Sequence, residues 1–145
     1  MKYVFIVNPV AGNDNKAKIF SRIKSTFRLI DDEMIVEPTH AQGEAKLIAE
    51  KYATECAYAF ALFTPDDIVS NGGKQYFQAR PNVIFELGWF YANLGRSRVC
   101  ILDQASEQSQ IFSDLQGVMR MQFQNNVSEK IIEIERELES VGIIQ

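Results

Sequence analysis

The chain has 145 residues and a net charge of −4, the size of one ordinary domain able to bury a core without disulfides or metals. Its apolar fraction of 46% and charged fraction of 23% are typical of a globular protein in water, and the absence of any Lys/Arg cluster argues against a nucleic-acid partner. No apolar run approaches the roughly 20 residues that span a bilayer, and Asn8 and Pro9 interrupt the opening MKYVFIVNPVAG too early for a signal peptide, so a cytoplasmic protein without a membrane partner is expected.

Taken in order, Tyr3 to Val7 is an apolar run that predicts a strand, and Ala17, Phe20, Ile23, Phe27 and Ile30 form a helical stripe after it. Met34 to Glu37 predicts the second strand, and Ala45, Ile48, Ala49, Tyr52, Ala53 and Cys56 the second helix, with His40 in the loop between them. Tyr58 to Thr64 is a buried strand pattern. Pro65 to Arg80 then reads as a long loop, mobile for want of apolar residues to bury and useful as a lid. The third helix starts near Pro81, a favoured first helical residue, carries Val83, Leu87, Phe90, Tyr91 and Leu94, and stops at Gly95. Arg98 to Asp103 and Val118 to Phe123 predict the last two strands. Asn126-Val-Ser-Glu129 is a capping box that opens a final helix through Ile131, Ile134, Leu138 and Val141.

This alternation predicts an α/β protein with three layers: a five-stranded, mostly parallel sheet of flavodoxin-like order 2-1-3-4-5 between helices, in a single domain over residues 1–145. In such a sheet the ligand crevice lies outside the carboxyl ends of strands one and three. The residues delivered there are Asn8 to Asn15, Thr64 to Arg80, and Glu86.

Glu86 is a carboxylate in the early part of an otherwise apolar helix, which is costly unless something uses it; the competing reading is that it complements the helix dipole, worth about 0.3–1 kcal/mol. Asp66 and Asp67 suit hydrogen bonds to a ribose, and suit equally the turn that ends a strand. Arg80 and Asn82 bracket a helix start, where an anion such as a pyrophosphate is favoured, although Arg80 can also pair with a loop aspartate. Trp89 can wall the site or fill the core, and Asn8 is the first-loop candidate for contact with a nucleotide. One His and two separated Cys provide no metal-ligand spacing, and free cysteines such as Cys56 and Cys100 read as small buried hydrophobes.

Four blocks in fixed order, AFALFTPDD (Ala59 to Asp67), ARPNVIFELGWF (Ala79 to Phe90), LGRSRVCIL (Leu94 to Leu102) and FSDLQGVMRMQF (Phe112 to Phe123), resemble the TIR-like domains of bacterial antiphage effectors. These include effectors of the CBASS and TIR–STING type. The resemblance implies cleavage of NAD to nicotinamide and ADP-ribose, or a cyclic form of it, with Glu86 as the catalytic carboxylate, Asn8, Asp66, Asp67, Arg80, Asn82 and Trp89 as substrate-binding candidates, and no cofactor beyond the substrate. It further implies self-association and control by a sensor domain for a cyclic nucleotide, in a longer chain or a separate protein. The opening Val4 to Gly12 and the segment Gly43 to Ala53 instead resemble diacylglycerol-kinase catalytic domains, but Thr-Pro-Asp-Asp stands where those kinases carry Gly-Gly-Asp-Gly-Thr. Two alternatives remain: a non-catalytic TIR-type module that binds a nucleotide or itself, and an enzyme like the nucleoside deoxyribosyltransferases, which share the sheet topology and a carboxylate at an N-glycosidic bond.

Overall fold

The computed structural model describes residues 2–7, 33–38, 43–106 and 113–144, in two compact units, Met1–Cys56 and Ala57–Gln145. The helix expected over Ala17 to Ile30, the loop from Asn8 to Asn15 and His40 lie outside the described residues.

In the first unit, β1 (Lys2–Val7) and β2 (Glu33–Pro38) pair in parallel, with Lys2 opposite Glu33 and Val7 opposite Pro38. Helix α1 (Glu44–Ala53) follows Gly43, whose φ of 85° is open to glycine at little cost. Glu44 in its first turn and Lys51 in its last complement the dipole. The expected stripe is realised in Ala49, Tyr52 and Ala53, all buried. The Tyr52 hydroxyl donates to Glu37 at 2.7 Å, tying α1 to β2. Cys56 lies past the end of α1 rather than in it, because the helix stops at Ala53 and Thr54 caps it.

The second unit is built on β3 (Ala59–Phe63), β6 (Val99–Gln104) and β7 (Met119–Phe123), all parallel in the order β3-β6-β7. Central β6 is apolar on both faces, as its unbroken sequence run predicts. Val99 and Ile101 join Phe63, Ala79 and Leu87 in one core cluster, while Cys100 and Leu102 join Met121 and Phe123 in another. Helix α2 (Pro81–Leu94) covers the first face through Val83, Ile84, Leu87, Phe90 and Leu94. Helix α3 (Ile131–Ser140) covers the second through Ile134. This unit is therefore a three-layer α/β/α stack. Both stretches of the expected strand order are present, the first two strands as one pair and the last three as one sheet.

The segment from Pro65 to Arg80 departs from the expected loop. It forms an antiparallel hairpin of β4 (Asp67–Asn71) and β5 (Lys74–Gln78), closed by Gly72 and Gly73 at φ 58° and 77°. Positive φ at both central residues is the type I′ turn, whose twist matches that of the paired strands. The Gly72–Gly73 pair is thus the turn of a hairpin within the segment expected to be a mobile loop. Other boundaries follow the sequence closely. Pro81 is at the first turn of α2 and Gly95, at φ 83°, ends it. Asn126 and Glu129 form the capping box ahead of a short 3-10 turn, Val127–Lys130, that leads into α3.

Candidate active site

Because α2 follows β3 through the hairpin, its N-terminus lies at the carboxyl end of the sheet of the second unit. Glu86 is the sixth residue of α2, in its second turn, half-buried beside the stripe that packs on the sheet. Burial pushes its pKa up from the ordinary 4.5, and no cation among the described residues forms an ion pair with it. A dipole-stabilised carboxylate would show the opposite shift and would sit in the first turn, where α2 has no acidic residue. Glu86 thus lies beyond the turn where the helix dipole acts most strongly, and its carboxyl is half-buried without an ion-pair partner among the described residues.

At the rim, the Thr64 hydroxyl donates to Asp66 at 2.7 Å, and the Asp66 N–H closes a turn onto the Thr64 carbonyl at 2.8 Å. Arg80, the residue before α2, has its Nε 3.6 Å from Asp66 and 3.9 Å from Asp67. These distances are ionic and too long for hydrogen bonds. The Nε is nevertheless shielded and has no hydrogen-bond acceptor among the described residues. Asp66 thus makes the strand-ending turn while Asp67 opens β4, and Arg80 pairs with both. Asn82 is exposed four residues before Glu86, on the same side of α2. Trp89 is half-buried, its ring 6.4 Å from that of Phe85, and its indole N–H is shielded without an acceptor among the described residues. Asn8 lies outside the described residues.

Sequence reasoning missed a second polar group at the same end of the sheet. Asp103, near the end of β6, is only 4% exposed. One of its oxygens accepts from Arg120 Nε at 3.1 Å, from a terminal nitrogen of the same guanidinium, and from Gln122 Nε2 at 3.0 Å. The available signal was the alternation in β7, where Arg120 and Gln122 interleave with Met119, Met121 and Phe123.

On the opposite face, a shallow groove of about 260 Å³ lies between β7 and α3, lined by Met119, Met121, Glu133 and Glu137 together with Arg120 and Arg136. It lies on the α3 side of the sheet, with Arg120 and Met119 at the start of the edge strand along its rim. Under it, the Tyr58 hydroxyl donates to Glu137 at 2.8 Å. Burial, with Glu137 nearby, pushes the Cys100 thiol up to about 12. Cys100 is therefore a core residue and not a nucleophile.

The family of the CAP12/Pycsar effector protein, TIR domain, matches residues 3–125. The chain is 36% identical over 80 residues to the Pycsar effector protein PaPycTIR of Pseudomonas aeruginosa, across 55% of this chain and 26% of that protein. It is 35% identical over 69 residues to the Pycsar effector protein BcPycTIR of Burkholderia cepacia, across 48% and 23% respectively. It is also 35% identical over 124 residues to the uncharacterized protein YuaY of Escherichia coli K12, across 80% and 38%. The chain thus spans 38% or less of the length of each of these relatives.

Proposed function

The chain belongs to the CAP12/Pycsar effector TIR-domain family of antiphage effectors, and on that premise we propose that it hydrolyses the bond between nicotinamide and ribose in NAD. The observation that carries this reading is Glu86, half-buried and without an ion-pair partner among the described residues. In the reaction, the C1′–N bond breaks and its electron pair goes to the nicotinamide nitrogen, which leaves neutral. Positive charge builds on the ribose as an oxocarbenium-like centre, and the Glu86 carboxylate stabilises it. Such a fixed charge acts most strongly where water is excluded. Water then bonds to C1′ and gives up a proton, completing ADP-ribose. The leaving group is cationic from the start, so one carboxylate suffices without a histidine or a metal ligand set.

The other candidates take supporting roles in this reading. Arg80, held at ionic distance by Asp66 and Asp67, is 38% exposed and offers the open part of its guanidinium to a phosphate oxygen. Asn82, one turn before Glu86, suits a ribose hydroxyl, and Trp89 forms a wall. Self-association and a sensor for a cyclic nucleotide, in a longer chain or a separate protein, belong to the same proposal.

The test is nicotinamide release from NAD, measured for the parent chain and for Glu86→Gln. Release by the parent and its loss in the variant is expected. A parent chain that leaves NAD intact at high protein concentration, or a variant as active as the parent, overturns the assignment.

A further inference from the structure

We propose that Arg120, held in place by Asp103, is a second substrate-contacting residue that takes a phosphate oxygen of the dinucleotide beyond the carboxyl end of the sheet of the second unit; this rests on the NAD reading above. The argument begins with strand register. On β6, Val99 and Ile101 pack under α2, and Asp103 has the same parity. On β7, Arg120 is opposite Ile101 and Gln122 opposite Asp103. The side chains of all three polar residues therefore start from the face of the sheet that α2 covers, and Arg120, on the edge strand, also borders the groove beside α3. Asp103 and Gln122 lie toward the carboxyl end of the sheet, Asp103 opposite Phe63, the last residue of β3, and Arg120, which starts from the second residue of β7, reaches that end through its hydrogen bonds to Asp103. Ligands of parallel α/β sheets bind outside that end.

The bonding pattern shows what the group is arranged to do. Burying a carboxylate is costly unless donors surround it, and here three hydrogen bonds converge on one oxygen of Asp103. Two come from the same guanidinium, through Nε and one terminal nitrogen, so its plane and direction are fixed. The Arg120 side chain remains 39% exposed while Asp103 is 6% exposed. A buried anion thus presents a pre-oriented, partly open cation whose other terminal nitrogen makes no hydrogen bond to a described residue. A pair that served only to lock the edge strand would need no open donor. Preorganised guanidinium donors suit phosphate oxygens. Asp103 acts through Arg120 and is a positioning residue.

The test uses Arg120→Lys, which keeps a cation beside the buried Asp103, and Arg120→Met, which leaves that carboxylate with Gln122 alone and is checked for folding by its melting curve, with Asp103→Asn as a third variant. ADP-ribose binding is measured by calorimetry, and kcat and KM for NAD are measured separately. Arg120→Met is expected to weaken ADP-ribose binding and raise KM by about ten- to a hundredfold, the scale of a charge-assisted hydrogen bond, with kcat within about twofold on the view that the contact is made equally in ground and transition states. Arg120→Lys should fall between Met and parent, since it keeps the charge and loses the fork. Asp103→Asn should raise KM in the same direction by freeing the guanidinium. If the parent cleaves NAD and Arg120→Met binds ADP-ribose as well as the parent does, this proposal fails alone. If the parent binds ADP-ribose without cleaving NAD, the functional reading fails and the Arg120 variants still decide this one. If the parent does neither, both fail.

Discussion

Arg80 Nε lies 3.6 Å from Asp66 Oδ2, close enough to attract and too far to hydrogen-bond. The pair fastens the base of the β4–β5 hairpin to the start of α2 while leaving the guanidinium free to exchange partners. Its contribution to stability is small, since the arginine side chain is 38% exposed and exposed ion pairs are worth about 0–1 kcal/mol. Arg80→Gln is therefore expected to lower the melting temperature slightly and to raise KM for NAD by about tenfold, the scale of one charged hydrogen bond. Calorimetric melting and steady-state kinetics check the two halves separately. A large melting shift with unchanged KM would make Arg80 a structural clasp only.

The hairpin turn makes a sharper prediction because its glycines meet no neighbours. A Cβ added at Gly72 or Gly73 would find nothing within 4 Å, so any cost is conformational. At φ 77°, Gly73→Val forces a β-branched residue into the left-handed region, at about 1–2 kcal/mol or more. Gly72→Asn is the substitution such a turn tolerates best. Hydrogen exchange at Ser70 to Gln75 should quicken in the valine variant and stay near parent in the asparagine one. The two core clusters lie outside the hairpin strands, so global melting should move little in either. Rapid exchange in the parent itself would restore the picture of a loose lid.

What was legible in the sequence follows from the range of the forces involved. The continuous apolar run of β6, the Pro81 start and Gly95 stop of α2, and the Asn126 and Glu129 box depend on local periodicity and caps, and each was readable. The hairpin was readable too, since Gly-Gly between Ile-Val-Ser-Asn and Lys-Gln-Tyr-Phe is a two-residue turn signal. Its strands are polar and alternate weakly, so composition alone reads them as a loop. The Asp103 and Arg120 pair was not readable, because it spans 17 positions and exists only once β6 and β7 are in register. Glu86 stood out by itself as a carboxylate among apolar neighbours, and the structure adds that it is half-buried and lies beyond the first turn.

Glu129 should govern acid stability at the end of the second unit. It accepts the N–H groups of Gln124, Asn125 and Asn126, each at 2.9 Å, and these bonds hold its carboxyl below the usual 4.5. A carboxyl with a lowered folded pKa contributes stability that is present above its unfolded pKa and is lost as pH falls through the folded one. Glu129→Ala is expected to melt below the parent at neutral pH, with the difference narrowing as pH drops well under 4.5. Exchange at the amides of Gln124 to Asn126 should rise in the same variant. A difference that stays constant with pH would mean that the loss comes from packing and not from the charged cap.

Glu86 carries the opposite sign, and this separates its two possible roles. Burial raises its folded pKa above 4.5, so between the unfolded and folded values the native state binds more protons than the unfolded chain. Stability must then fall as pH rises through that window and stay at the lower level at neutral pH. Glu86→Gln removes the buried charge and should melt slightly higher than the parent at pH 7, with the gain vanishing below 4.5. Cleavage of NAD requires the charged form, so activity should decline on acidification with a midpoint above 4.5, and the variant should lose about 10²–10³-fold or more in kcat. A gain in stability coupled to a loss of turnover is what a site strained for function produces. Melting curves and initial rates across the same pH series decide it: a variant that loses both stability and turnover would show Glu86 to be structural, and one that loses neither would move the chemistry to other residues.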